Sequence, residues 1–134
     1  MQIDIDSVIA PARATSPGAI TAGNATLTTQ TIDRQGYEAL EFIYTSGTIT
    51  DGTFTVTMYE GDASNMSDEA AVAAADILGT SPVFAATDDD KVKRVGYKGT
   101  KRYVRCKAVQ SGATTGGYLS AVAVLAKPRY VPTA

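Results

Sequence analysis

Apolar and polar side chains alternate one by one through two neighbouring runs of this chain, a pattern that a strand with one buried face uses and a helix cannot. In residues 38–45, Leu40, Phe42 and Tyr44 share one face. In residues 53–60, Phe54, Val56 and Met58 do the same, while Thr53, Thr55, Thr57 and Tyr59 lie opposite. Thr and β-branched residues dominate both runs and the preceding ATLTTQTID, which favours strands. Between the runs, TSGTITDGT places Gly47 and the Asp51-Gly52 pair where a reversal needs positive φ, so the two strands are expected to form a hairpin.

Downstream of Asp88, Asp89 and Asp90, the string KVKRVGYKGTKRYVRCKAVQ reads as a second hairpin reversing near Lys98-Gly99. Its expected partner, YLSAVAVLA, is apolar on both faces, as befits a strand lying between two layers or covered by another subunit. The only helical signal is SNMSDEAAVAAADILGTSP, with Asn65 or Ser67 as N-cap and Gly79 and Pro82 as stops. Val72, Ile77 and Leu78 make no clean stripe there, so at most one short helix is expected, over about residues 67–77. The fold class is therefore all-β, a jelly-roll or related antiparallel β-sandwich or barrel. Residues 1–24, mixing Ile3, Ile5 and Val8 with a Pro- and Gly-rich stretch, read as an N-terminal arm with a short strand. Residues 25–127 read as the sandwich domain, and residues 128–134 as an extended tail.

A chain of 134 residues has room for one core. Ala supplies much of the 44% apolar content, Trp is absent, and Phe occurs only at Phe42, Phe54 and Phe84. A core of Ala and Val buries less area than one of Leu and Phe, which favours added stability from a partner or from self-association. No apolar run is long enough to span a bilayer, and MQIDIDSVIAPARA lacks a basic leader followed by a long apolar stretch, so synthesis in the cytoplasm is expected.

The chain has no His, which removes the commonest general base and metal ligand. Cys106, the single cysteine, shares a strand face with Val104 and Ala108 and reads as a small core residue rather than a nucleophile. The three adjacent Asp lack the spacing of a calcium loop and read as a solvated turn. No phosphate-binding, dinucleotide or nucleophile-elbow motif occurs. No enzyme activity, cofactor or metal is expected.

Eight of the 12 Lys and Arg fall between Lys91 and Lys107 with no acid among them, and Tyr97 and Tyr103 are interleaved. On adjoining strands such charges would need an anion from a partner to relieve their repulsion. A protein partner is favoured over nucleic acid, because the formal net charge of −2 weakens long-range attraction to phosphate.

The strings IDRQGYEALEFIYTSGTITDGTFTVTMYEGD, DILGT and VKRVGYKGTKRYVRCKAVQSGATTGGYLSAVAVLAKPRYVP resemble the small capsid decoration, or cement, proteins that tailed phages and prophages encode beside their major capsid protein. The first 24 residues do not contribute to this resemblance. It implies a sandwich on the capsid exterior of the virion, dimeric or trimeric, bridging subunits of the major capsid protein. The residues expected at the interface are Arg94, Lys98, Lys101 and Arg102 of the basic segment and Arg129 and Tyr130 of the tail, since Arg and Tyr most often anchor interfaces. The N-terminal arm is a third expected contact. The rival readings are a low-copy head completion, connector or tail protein, and a β module that binds carbohydrate or single-stranded nucleic acid.

Overall fold

A computed structural model describes residues 4–16, 18–20 and 26–129. In chain order its strands are β1 (Ile9–Arg13), β2 (Gly18–Ile20), β3 (Thr26–Thr28), β4 (Ile32–Asp33), β5 (Tyr37–Ile49) and β6 (Thr53–Gly61). There follow β7 (Ala70–Ala71), β8 (Ile77–Leu78), β9 (Val83–Phe84), β10 (Val92–Tyr97), β11 (Tyr103–Ser111) and β12 (Gly117–Pro128). They form two antiparallel sheets. The first has the order β1-β12-β5-β10-β8, with β2 also on β12; the second has β3-β11-β6-β7, with β4 on β11 and β9 on β6. The fold is a β-sandwich, as the alternation requires.

The core lies between the sheets and contains the faces read from the sequence. Leu40, Phe42 and Tyr44 of β5 are buried against Phe54, Val56 and Met58 of β6, with Val104, Cys106 and Ala108 of β11 and Leu119, Ala121 and Ala123 of β12. Ala14 and Ile20 belong to the same cluster. The N-terminal segment, expected as an arm with one short strand, thus contributes two strands to the first sheet. Pro11 stands on edge strand β1, where a missing N–H discourages further pairing.

Neither expected hairpin forms. β5 and β6 lie in different sheets, and so do β10 and β11, so each connection is an arch from one layer to the other. Asp51-Gly52 does turn the chain, with Gly52 at φ +87°, but the turn crosses the sandwich. It nests against the β11–β12 arch. The Asp51 carboxylate accepts hydrogen bonds from the backbone N–H groups of Thr114 (3.1 Å), Thr115 (3.1 Å) and Gly116 (2.6 Å). A Cβ on Gly52 would come within 2.7 Å of the Ala113 Cβ. In the third arch, Tyr97 is buried and its hydroxyl donates to Glu60 (2.5 Å) and accepts from Lys101 N–H (3.0 Å).

The connection that allowed at most one short helix is built mostly of turns. Asp68 does not cap a first helical turn; its carboxylate accepts from the N–H groups of Asp62 (2.8 Å) and Ala63 (3.1 Å), folding the chain back on itself. Met66 has φ +57°, which a right-handed helix cannot contain. Only a 3-10 turn at Ala74–Asp76 remains. The rest of this connection places β7 and β9 beside β6 and β8 beside β10.

Candidate protein interface

The basic segment does not act as one patch. β10 and β11 belong to opposite sheets, which distributes its eight cations over two faces and one end of the sandwich. Acids pair with six of them, all but Asp88 remote in sequence. Lys93 meets Asp88 (3.2 Å), Arg94 meets Glu41 (3.6 Å), Lys101 meets Asp62 (2.6 Å), and Arg102 meets Asp33 (2.8 Å). Arg105 and Lys107 both reach Glu69 at 2.5 Å. The expected need for a partner's anion to relieve mutual repulsion is therefore not met on these strands. The chain's own carboxylates do that work.

These pairings set the local protonation. The Arg102 guanidinium holds the Asp33 carboxyl below its ordinary value, and Lys107, with Arg105, does so for Glu69. Hydrogen bonds and charge from Asp62 raise the Lys101 ammonium. In the acidic turn, Asp88 accepts from Ala85 N–H (2.9 Å) and Asp89 from Ile49 N–H (2.8 Å). Those carboxylates tie loops to strands, and among the described residues no group of three or more His, Cys, Asp or Glu is placed to hold a metal ion.

The two outer faces differ in chemistry. On the second sheet, Thr53, Thr55, Thr57, Arg105 and Lys107 face outward together with the exposed Val83 and Val109, and Lys107 lies 4.4 Å over the Tyr59 ring. On the first sheet, β12 presents Tyr118, Val122 and Val124 to the outside. The register sets Val122 between Arg13 and Ile43, and Val124 between Pro11 and Glu41. Leu78 of β8 and Val92 of β10 extend the surface laterally. Tyr118 is 57% exposed, Val122 44%, Leu78 50% and Val92 66%. This sheet face is largely apolar, and no other layer among the described residues covers it.

Of the residues expected at an interface, Arg94 lies on this apolar face, where its side chain is 75% exposed. Lys98, Lys101 and Arg102 lie at the end of the sandwich, in the β10–β11 arch. Arg129 follows β12 to the same end, its N–H donating to Gly36 carbonyl (2.9 Å), and its side chain lines a cleft with that of Arg102. The structure thus joins Arg102 with Arg129 and separates both from Arg94. Tyr130 lies outside the described residues. Sequence reasoning missed Arg34, which lines the same cleft, and missed Tyr118, Val122 and Val124 as a surface. The signal for those three was present in the two-faced apolarity of YLSAVAVLA.

Cys106 is buried as expected, and desolvation raises its thiol far above the usual range, so it has no thiolate character. Among the described residues no helix is long and apolar enough to cross a membrane.

No family model matches the sequence, and no curated protein matches it. Among solved structures, the PBSX exported protein XepA is similar over 93% of this chain at 15% identity, with a TM-score of 0.60. The chain spans 40% of that protein's length, and the likeness establishes a shared fold. The N-terminal cellulose-binding domain of Cellulomonas fimi beta-1,4-glucanase C aligns over 95% of this chain and 82% of its own length, at 10% identity and a TM-score of 0.42. The infectious bursal disease virus VP2 subviral particle aligns over 90% of this chain and 42% of its own, at 14% identity and a TM-score of 0.27. Neither of these two carries weight here.

Proposed function

We propose that this chain is a non-enzymatic structural subunit of a phage virion that decorates the capsid exterior and stabilises it by bridging subunits of the major capsid protein. The observation that carries this reading is the outer face of the first sheet. Tyr118, Val122, Ile43, Val124 and Leu78 form an apolar surface that no layer among the described residues covers, whereas the second sheet's outer face mixes Val83 and Val109 with threonines and the ion pairs of Glu69 with Arg105 and Lys107. Surfaces of that kind on a small protein mark contacts with other proteins. The shared fold with a protein of PBSX, a prophage-like element, is consistent with a phage setting.

The mechanism is mass action. A subunit that binds the assembled shell and not its free parts adds its binding free energy to the assembled state, and repetition over a lattice turns modest contacts into large stabilisation. Docking through a sheet face leaves the ends of the sandwich free for neighbouring coat subunits or for further copies of this chain.

Quantitative mass spectrometry of purified particles tests the role directly. A copy number comparable to that of the coat protein is expected; a few copies per particle would indicate a connector or tail part instead, and absence from particles would overturn the virion reading. The surface is tested by Val122→Glu, which places a charge at the centre of the apolar face without touching the core. Unchanged thermal unfolding with at least about tenfold weaker capsid binding is expected, since desolvating a carboxylate at an interface, even one opposite Arg13, costs more than the 1.4 kcal/mol that a factor of ten represents. Undiminished binding would remove the sheet face from the interface.

A further inference from the structure

Three arginines meet at the end of the sandwich where the turn before β5, the β10–β11 arch and the end of β12 converge. Arg34 N–H donates to the Arg102 carbonyl (3.0 Å) and Arg129 N–H to that of Gly36 (2.9 Å), so backbone hydrogen bonds fix all three segments to one another. The side chains of Arg34, Arg102 and Arg129 line a single open cleft of about 270 Å³ with Gly36, Tyr37 and Thr100. Gly36, at φ +89°, occupies a conformation that disfavours any side chain and leaves the floor of the turn bare.

One carboxylate answers these three cations. Asp33 accepts from Nε and Nη2 of Arg102 at 2.9 and 2.8 Å. Arg34 donates to the carbonyls of Lys101 (2.5 Å) and Gly99 (2.9 Å) and lies 5.2 Å over the Tyr97 ring, contacts that orient its guanidinium without neutralising it. The Arg129 side chain is exposed and has no hydrogen bond or ion pair among the described residues. The cleft therefore carries a local excess of positive charge held in place by backbone contacts. Elsewhere in this chain, by contrast, most cations of the basic segment have an acid within 4 Å.

We propose that this cleft is a receptor for a single carboxylate, the side chain of an Asp or Glu presented by the partner protein. A guanidinium matches a carboxylate through two parallel N–H···O bonds, and Arg129 is free to offer them while Arg34 and Arg102 supply field from fixed positions. This deepens the capsid-docking role and rests on it only for the identity of the partner: the recognised chemistry is tested without a capsid.

The test is a ¹⁵N NMR titration of the full chain with a capped acidic peptide of alternating Asp and Glu, its Asn and Gln counterpart, and inorganic phosphate. The acidic peptide is expected to shift the amides of Gly36 and Thr100 and the Arg129 Nε saturably, the neutral peptide to bind at least about tenfold more weakly, and added salt to weaken the response. Arg129→Glu should abolish the shifts with the fold intact. The proposal is overturned if the acidic peptide produces no saturable shift at these groups by about 10 mM, if Arg129→Glu binds it as the natural chain does, or if phosphate saturates the same groups at lower concentration. Failure of the titration while Val122→Glu still abolishes capsid binding would sink this receptor alone. Absence of the chain from particles would instead sink the decoration role alone.

Discussion

Tyr44 is fully buried on β5, and among the described residues its hydroxyl has no hydrogen-bond partner beyond the weak one that the Cys106 thiol offers. The ring packs on Phe84 with centroids 6.5 Å apart, and the Cys106 thiol faces the hydroxyl. A thiol is a weak donor and a weak acceptor, so it compensates little of what the hydroxyl loses on leaving water. A buried hydroxyl left unsatisfied costs about 1–3 kcal/mol. Tyr44→Phe removes that group and keeps the ring. It vacates a volume on the order of 10 Å³, which at about 24 cal/mol per Å³ subtracts only about 0.3 kcal/mol.

The net expectation is a gain of about 1 kcal/mol, which for a chain of this length, at about 2.1 cal/mol/K per residue, raises Tm by about 3 to 4 °C. Urea unfolding followed by circular dichroism should show a higher midpoint at an unchanged slope. Burial, reinforced by the neighbouring thiol, raises the Tyr44 ionisation well above the usual phenol range, and burial raises Cys106 against a smaller opposing effect of the Tyr44 hydroxyl, so the gain should not vary between about pH 5 and 9. A loss exceeding about 1 kcal/mol would refute the reasoning, because it would mean that the hydroxyl makes a stabilising bond worth more than its desolvation. A double-mutant cycle with Cys106→Ala then says where: a coupling above about 0.5 kcal/mol would assign that bond to the thiol.

Three further outcomes follow from the arches and the core. Asp51→Asn should lower the urea midpoint at neutral pH by weakening the grip on residues 114–116; backbone hydrogen bonds, that of Gly116 foremost, hold the folded carboxyl below its ordinary 3.8, so the stability it contributes is complete above that value and is lost as pH falls through the depressed one, and the gap between natural and variant chains should narrow there. Gly52→Ala should destabilise by roughly 2–3 kcal/mol in the same assay, combining a left-handed φ with a contact against Ala113 that backbone must move to relieve. Cys106 should resist a thiol reagent in the native chain and react in urea; rapid native labelling would contradict its burial.

Which residues enter the core was legible in the sequence because a strand has period two. The faces carrying Leu40, Phe42 and Tyr44, then Phe54, Val56 and Met58, then Val104, Cys106 and Ala108 are all buried. Which strands pair was not legible. A Gly at positive φ after an Asp reverses the chain whether the next strand returns beside its predecessor or crosses to the other layer, and only contacts distant in sequence, such as the Asp51 carboxylate on residues 114–116, choose the crossing. The same non-locality hid the electrostatics. Lys91 to Lys107 looked uncompensated because, Asp88 apart, its acids Asp33, Glu41, Asp62 and Glu69 lie 36 to 69 positions away from the cations they pair with. The lack of a clean apolar stripe in SNMSDEAAVAAADILGTSP limited it to at most a short helix, and the segment folds into turns in which the Asp68 carboxylate accepts from the N–H groups of Asp62 and Ala63.

The apolarity of β12 on both faces admitted two explanations, a place between layers or cover by another subunit. The fold has two layers, and β12 sits between β1 and β5 in one of them, with Leu119, Ala121, Ala123 and Leu125 turned into the core. Its other face meets no third layer among the described residues. Tyr118, Val122 and Val124 therefore contribute nothing to the core of the isolated chain, and Ile43, Leu78 and Val92 join them on that surface from neighbouring strands. Threonine serves the same outward role on β6 at no cost to the strand, as Thr53, Thr55 and Thr57 demonstrate. The residues that stability of the single chain does not require are thus the ones through which the proposed docking would act, and the thin, Ala-rich core gives that docking a further consequence: cover over the first sheet would stabilise the subunit as well as the shell it binds.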